Sequence, residues 1–293
     1  MLLVTGITGH TGRYFYEELN KNRFSDKIRI MVRESSDLTF LNTSSLDIEV
    51  FKDDINNKEA IDRAMQNVTE VVHIYNIHNS IDILNSAIKH GVKKVVLVHT
   101  TGIYSNFKDA SARYKEIEAE INSILEKNKD IDVIIVRPSM IYGDLCDKNM
   151  SKFIKMISKL KVVPVIDGGK SYIQPVNARD LGKAYYTVLK NINGQKAYDL
   201  TGDRPIQLRE AYNIIAKALG KKIFIVNIPL SLGLFVSKTL KALTLGKIDV
   251  IEKVQRMTED RSYSHEQAKI DFNYAPITFE DGIKFEVNQF INK

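Results

Sequence analysis

Three glycines near the start of the chain, Gly6, Gly9 and Gly12, stand in a G-x-x-G-x-x-G spacing whose chemistry is anion binding. An apolar run of strand character, residues 2–5, stops directly before them, and a helix-like stretch, 13–22, follows. A strand that ends in a glycine turn aimed at a helix N-terminus makes a phosphate site. Absent Cβ atoms let the backbone approach the ligand, while free N–H groups and the helix dipole stabilise its charge. Gly6, Thr8, Gly9, His10, Thr11 and Gly12 are the residues this reading places around a phosphate.

A second chemical signal closes the next strand-like run, 28–32, in Arg33-Glu34-Ser35-Ser36. An acidic residue at that position hydrogen-bonds the ribose hydroxyls of a dinucleotide, whereas an arginine pairs with a 2′-phosphate. Arg33, with the Ser35 and Ser36 hydroxyls, therefore favours NADP(H) over NAD(H). The alternative is a solvated loop residue balanced by Glu34.

These residues need elements to hold them. Short apolar runs at 2–5, 28–32, 48–51, 71–75, 95–99 and 133–136 alternate with helix patterns at 13–22, 58–66, 81–90 and 112–127. Strands apolar throughout belong to a parallel sheet covered on both faces, so the pattern predicts an α/β fold, a Rossmann-type doubly wound sheet. Ligands then bind at the C-terminal edge of the strands. After Arg137 the alternation loosens. The expected division is a dinucleotide-binding domain over 1–138 with returning segments near 172–200. A smaller, partly interleaved substrate-binding lobe covers 139–171 and 201–293.

Composition narrows the function classes. With 44% hydrophobic and 27% charged residues, a chain of 293 residues buries a sizeable core. The single cysteine, Cys146, excludes an intramolecular disulfide, fits a reducing cytoplasm, and reads as an apolar filler rather than a nucleophile. The glycine loop lies so near the first residue that no signal peptide is expected, and a cytoplasmic location is. Residues 223–245 are interrupted by Asn227, Pro229, Lys238 and Lys241, so they read as a packed strand and helix and no membrane partner is expected. The net charge of +6 comes from scattered lysines rather than a basic stripe, which favours an anionic cofactor or substrate over nucleic acid. The six histidines show no metal-ligand pattern, so no metal is expected.

Several further motifs stand in order along the chain. Lys52-Asp53-Asp54-Ile55 follows the third strand, and His99-Thr100-Thr101-Gly102-Ile103-Tyr104 ends the fifth. Arg137-Pro138-Ser139-Met140-Ile141-Tyr142-Gly143 and Gln174-Pro175-Val176-Asn177-Ala178-Arg179-Asp180 follow, with Phe272-Asn273-Tyr274-Ala275-Pro276 near the C-terminus. With the glycine loop, this series resembles the extended or atypical short-chain dehydrogenases/reductases, of the NAD-dependent epimerase/dehydratase or NmrA-like kind. The resemblance implies that Asp54, Ile55, Tyr75 and Pro138 also contact the cofactor and that Ser139, Tyr142 and Gln174 contact the substrate.

The resemblance further implies a strand-end hydroxyl and a Tyr-x-x-x-Lys pair, in which an ammonium favours the phenolate of a group that titrates near 10. Thr100 is the strand-end hydroxyl, with a backbone-satisfying threonine as the alternative. Tyr104 to Lys108 has the literal spacing but falls in an expected loop. On the helix, Tyr114 is followed by Glu118 where the lysine belongs, and Lys115 is preceded by Ser111 where the tyrosine belongs. Thr100, Tyr114 and Lys115 are thus the catalytic candidates, although Tyr114 also fits a core stripe with Ile117 and Ile121. The expected function is an NADP-dependent oxidoreductase or epimerase-like enzyme on a small molecule. The alternatives are a noncatalytic NADP(H) redox sensor with a protein partner, or a sugar-nucleotide epimerase/dehydratase.

Overall fold

A computed structural model describes residues 1–107 and 109–293. Strand and helix alternate from the first residues: β1 (Leu2–Thr5), α1 (His10–Lys21), β2 (Ile28–Val32), β3 (Ile48–Lys52), α2 (Lys58–Ala64), β4 (Glu70–His73), α3 (Ser80–Lys89), β5 (Lys94–Val98), α4 (Ser111–Glu126) and β6 (Asp132–Pro138). Shorter elements follow: β7 (Ile141–Tyr142), α5 (Met150–Lys159), β8 (Val162–Ile166), β9 (Tyr172–Ile173), β10 (Val176–Asn177), α6 (Ala178–Asn191), β11 (Gln195–Leu200) and β12 (Ile206–Gln207). The chain closes with α7 (Leu208–Ala218), β13 (Phe224–Ile228), α8 (Leu230–Leu243), α9 (Ile251–Arg256), α10 (Glu266–Phe272) and α11 (Phe279–Ile291).

Seven strands form one sheet in the order β3-β2-β1-β4-β5-β6-β11, and every neighbouring pair is parallel. The apolar runs dictate this. Leu2, Leu3 and Val4 are all fully buried, so successive side chains need cover on opposite faces of the sheet. On one face Leu2, Val4 and Ile30 pack with Phe15 and Leu19 of α1 and Leu181 of α6. On the other, Leu3, Val71 and Val95 pack with Ile61 of α2, Ile83 of α3 and Ile117 of α4. Each such fully buried side chain stabilises the fold by about 1.5–3 kcal/mol before entropy is counted. Strand order reverses between β1 and β4, which opens a crevice at their C-terminal ends. The architecture is the Rossmann-like α/β fold that the strand–helix alternation predicts.

Within 172–200, β11 joins the large sheet beside β6, whereas β9 and β10 pair outside it with β12 and β7. The C-terminal lobe has its own core, where Ile154 of α5, Val163 of β8, Ile215 of α7 and Ile283 of α11 meet Tyr142. Residues 223–245 do form a strand and a helix, but α8 buries only Gly233 and Ser237. It packs through that side alone, and its opposite face is exposed, which narrows the expectation of a packed strand and helix.

Candidate functional site

The phosphate loop is built by two glycines and opened by a third. Gly6 has φ of 79°, in the region glycine favours, and a Cβ there would lie 2.7 Å from Tyr75 N. At Gly12 a Cβ would lie 2.1 Å from the Gly6 carbonyl oxygen, so the loop folds back on the first turn of α1. Gly9 has a looser neighbour, Gly6 O at 3.2 Å, and its bare Cα leaves room outside the loop. Gly9 is the N-cap of α1, and no side chain caps that end. The first-turn N–H groups at His10, Thr11 and Gly12 therefore suit a phosphate ligand, the fit a dinucleotide pyrophosphate requires. Thr11 is buried, and His10 Nε2 lies 3.0 Å from the Asp144 carboxylate, which also accepts from Tyr14 Oη at 2.8 Å.

From this loop a groove runs along the ends of β2 and β3, lined by Gly6, Thr8, Arg33, Ser36, Ile55 and Tyr75. Arg33 is exposed, and no ion pair holds it among the described residues. Glu34 is instead paired with Lys52 at 3.2 Å. Of the two aspartates after β3, Asp53 is on the groove wall. Asp54 turns away and accepts from Asn56 N at 2.9 Å. Asp53 accepts from the Asp54 N–H and is paired with Arg63 at 2.7 Å, and these two contacts, in that order, keep its carboxyl below the usual range.

A cavity of about 330 Å³ lies beyond the ends of β5 and β6, against the C-terminal lobe. Thr100, Thr101 and Ser105 line it from the β5 side, Ser139 and Met140 from the β6 side, and Gln174 from the lobe. The Thr100 hydroxyl oxygen accepts from Gly102 N at 3.0 Å, which leaves its O–H to donate. Ser139 Oγ donates to the Gln174 carbonyl. The Gln174 amide is used internally, donating to Gly202 O at 2.8 Å and accepting from Tyr263 N at 3.0 Å. Pro138 is buried just before this wall and its carbonyl accepts from Thr101 Oγ1. Tyr142 is not on the wall. It is fully buried in the lobe core, its ring edge-on to Phe279 at 5.1 Å between centroids.

Two arginines that the motif reading passed over complete the cavity, Arg256 and Arg261. Each has a buried Nε without a hydrogen-bond partner among the described residues. The nearest carboxylates to Arg256, Glu252 and Glu259, stand off at 3.7 Å. Glu259 is already held by Ser105 Oγ and Asn106 N, both at 2.7 Å. Burial and the neighbouring Arg256 bring Arg261 down to about 10. A guanidinium whose Nε is buried without a hydrogen-bond partner is costly, so this corner of the cavity favours an anion. In the sequence these arginines flank Thr258-Glu259-Asp260, a segment outside the motifs read above.

The tyrosine and lysine candidates are elsewhere. Tyr114 packs partly buried against the α2–α4 core, with its ring 5.7 Å from His78, and Lys115 is exposed. Neither is on the cavity wall. Tyr104 Oη donates to Asp199 at 3.1 Å, and burial and Asp199 push the phenol up to about 12. Its lysine, Lys108, lies outside the described residues. Tyr186 and Lys190 share the same spacing on α6, where the Lys190 ammonium sits 4.4 Å from the Phe24 ring.

Glu118, at the lysine position after Tyr114, anchors a buried network instead. Arg137 donates to it from both Nε and Nη2, and His99 Nδ1 lies 2.9 Å from its Oε1. Burial alone would raise the carboxyl, but Arg137 and His99 outweigh it and hold Glu118 down at about 2. His99 reaches Ser80 Oγ at 3.1 Å through its other nitrogen, and burial lowers its pKa. His73 is buried between Thr5 Oγ1 and the Asn76 carbonyl, and burial brings it to about 4. No group of three or more His, Cys, Asp or Glu side chains able to hold a metal occurs among the described residues.

The fold is shared with solved structures of low identity. The structure of gox2253 matches with a TM-score of 0.79 at 17% identity, covering 100% of this chain and 98% of that one. A dTDP-glucose 4,6-dehydratase from Streptomyces venezuelae with NAD bound matches at 0.75 and 18%, covering 100% and 97%. The UDP-glucose 4-epimerase of Thermotoga maritima matches at 0.74 and 16%, covering 99% and 98%. No curated protein sequence matches the chain. The epimerase/dehydratase fold that the ordered motifs resemble is therefore the fold of this protein. Residues 6–155, more than half of the chain, match the family model described as NAD(P)H-binding, and the protein belongs to that NAD(P)H-binding family.

Proposed function

We propose that the protein is an NADP(H)-dependent oxidoreductase acting on a small anionic molecule. The observation that carries this reading is the strand-end cavity in which Thr100 and Ser139 face Arg256 and Arg261. A nicotinamide nucleotide held at the Gly6–Gly12 loop and along the groove of Arg33 and Tyr75 would supply or take the hydride. Thr100 donates to the substrate oxygen, and the two arginines compensate a phosphate or carboxylate elsewhere on the substrate. Sugar nucleotides, which solved neighbours bind, have that chemistry. Arg33, exposed on the groove wall while Glu34 pairs with Lys52, supports the phosphorylated cofactor.

A second reading, a noncatalytic NADP(H) sensor, draws on Glu118. A carboxylate neutralised by Arg137 and hydrogen-bonded to His99 replaces the ammonium that would favour a phenolate at Tyr114. Calorimetric titration of the nucleotide-free protein with NADPH and NADH, followed by a panel of anionic carbonyl compounds read at the nicotinamide absorbance, separates the two. Tighter NADPH binding with turnover is the expected result. Binding without turnover across the panel favours the sensor, and no binding of either nucleotide removes both.

A further inference from the structure

Two acid-free stretches meet in the C-terminal lobe. Residues 148–166 hold five lysines and residues 211–248 hold six, with no arginine, aspartate or glutamate in either. These eleven lysines more than account for the net charge of +6, so the charge is concentrated in the two stretches rather than scattered as expected, and the remainder is net acidic. The fold brings the stretches together, because β8 and β13 pair in parallel along their full lengths. Pro229 then turns β13 directly into α8.

The paired strands and the helix after them carry exposed apolar side chains. Val162 and Phe224 are partners across the β8–β13 register and are 54% and 71% exposed. On α8, Leu232, Phe235, Val236 and Leu243 follow helical spacing on one exposed face, with Phe235 at 66% and Leu243 at 79%. The helix is held from its other side, where Gly233 and Ser237 are buried and a Cβ on Gly233 would lie 2.6 Å from Ile166. Lys238 on the helix and Lys247 just beyond it are exposed, while Lys241, about 180° around the helix from Leu232, is paired with Asp249 at 2.6 Å.

We propose that this face docks the protein onto an anionic lipid surface, with α8 lying along the headgroup boundary. An apolar helix face bordered by lysines is the composition of an interfacial helix, since the apolar side chains leave water while the ammonium groups meet lipid phosphates. Two copies of this chain do not suit each other across the face, because it presents lysines to lysines without carboxylates in either acid-free stretch. A nucleic-acid backbone would satisfy the lysines but leave Phe235 and Leu243 in water. Docking is distinct from spanning, for no described helix is long and apolar enough to cross a membrane.

The test is flotation of the full chain with vesicles of phosphatidylcholine alone or with phosphatidylglycerol at roughly three to one. Wild type floats with the anionic vesicles and not with the neutral ones. Phe235→Ser with Leu243→Ser, and separately Lys238→Glu with Lys247→Glu, each lower the bound fraction roughly tenfold, consistent with loss of apolar burial or of phosphate attraction. All four positions are exposed, so circular dichroism and melting of the variants should match wild type. Equal binding by wild type and both variants overturns the proposal, as does no flotation of wild type at low salt. Concentration-dependent dimerisation abolished by the apolar pair, without flotation, overturns it in favour of a second copy.

Discussion

Each glycine of the loop answers a different question when substituted. A side chain at Gly12 collides with the Gly6 carbonyl, so Gly12→Val disrupts the loop itself. Gly9 meets only a 3.2 Å neighbour, and Gly9→Val should leave melting within a few degrees of wild type while lowering nucleotide affinity roughly a hundredfold. Calorimetry beside a melting curve checks both halves, and unchanged affinity would remove Gly9 from the phosphate site. Arg33→Asp should weaken NADPH roughly ten- to a hundredfold, the worth of a charge-assisted contact, while NADH changes little. Equal losses for the two nucleotides would take Arg33 away from the 2′-phosphate. Arg261→Met removes a buried cation without a hydrogen-bond partner on its Nε, so it should raise the melting temperature while reducing stabilisation by inorganic phosphate. A lower melting temperature with intact phosphate response would make Arg261 structural.

At the scale of elements, Glu118 and Arg137 join α4 to the end of β6. Glu118→Gln leaves Arg137 with Asp199, at 3.6 Å, as its one carboxylate partner among the described residues, and should cost about 3 kcal/mol at neutral pH. The pH dependence has a definite sign. The Glu118 carboxyl sits at about 2 in the fold against 4.5 as its ordinary value, so its stabilisation is present above 4.5 and is lost as pH falls from there toward 2. Denaturant titrations from neutral pH down to about pH 3 should show the wild type losing its advantage over Glu118→Gln in that window. A difference that stays constant through the window would mean that the carboxyl is not paired as described. The network also limits the helix: α4 is fixed by Glu118 and buries Ile117 and Ile121, which leaves Lys115 in solvent.

For the whole molecule, nucleotide binding and lipid docking occupy different parts of the fold. The crevice lies at the ends of β1 and β4, whereas the exposed apolar face belongs to β8, β13 and α8. NADPH at a hundredfold over its Kd should stabilise wild type by about 2.7 kcal/mol by mass action alone. The Phe235→Ser, Leu243→Ser pair should show the same gain in a thermal melt, and a smaller one would couple the two sites. Vesicle binding should fall steeply as salt rises from about 0.05 to 0.5 M, because screening weakens the attraction between the exposed lysines and the lipid phosphates.

The sequence by itself determined the sheet, its parallel sense and the phosphate loop, because these follow from local facts. Period and apolarity decide which runs need cover on both faces, and glycine spacing decides where backbone approaches a ligand. The same logic misled at Tyr142, whose place in a motif beside the strand end says nothing about which way its ring turns, and the lobe core took it. Only the tertiary structure decided that Asp53 and not Asp54 faces the groove, that Glu118 is neutralised by Arg137, and that Arg256 and Arg261 close on the cavity from more than a hundred residues beyond Ser139. Those outcomes depend on which distant side chains become neighbours when the two lobes pack, and spacing along the chain carries no record of that.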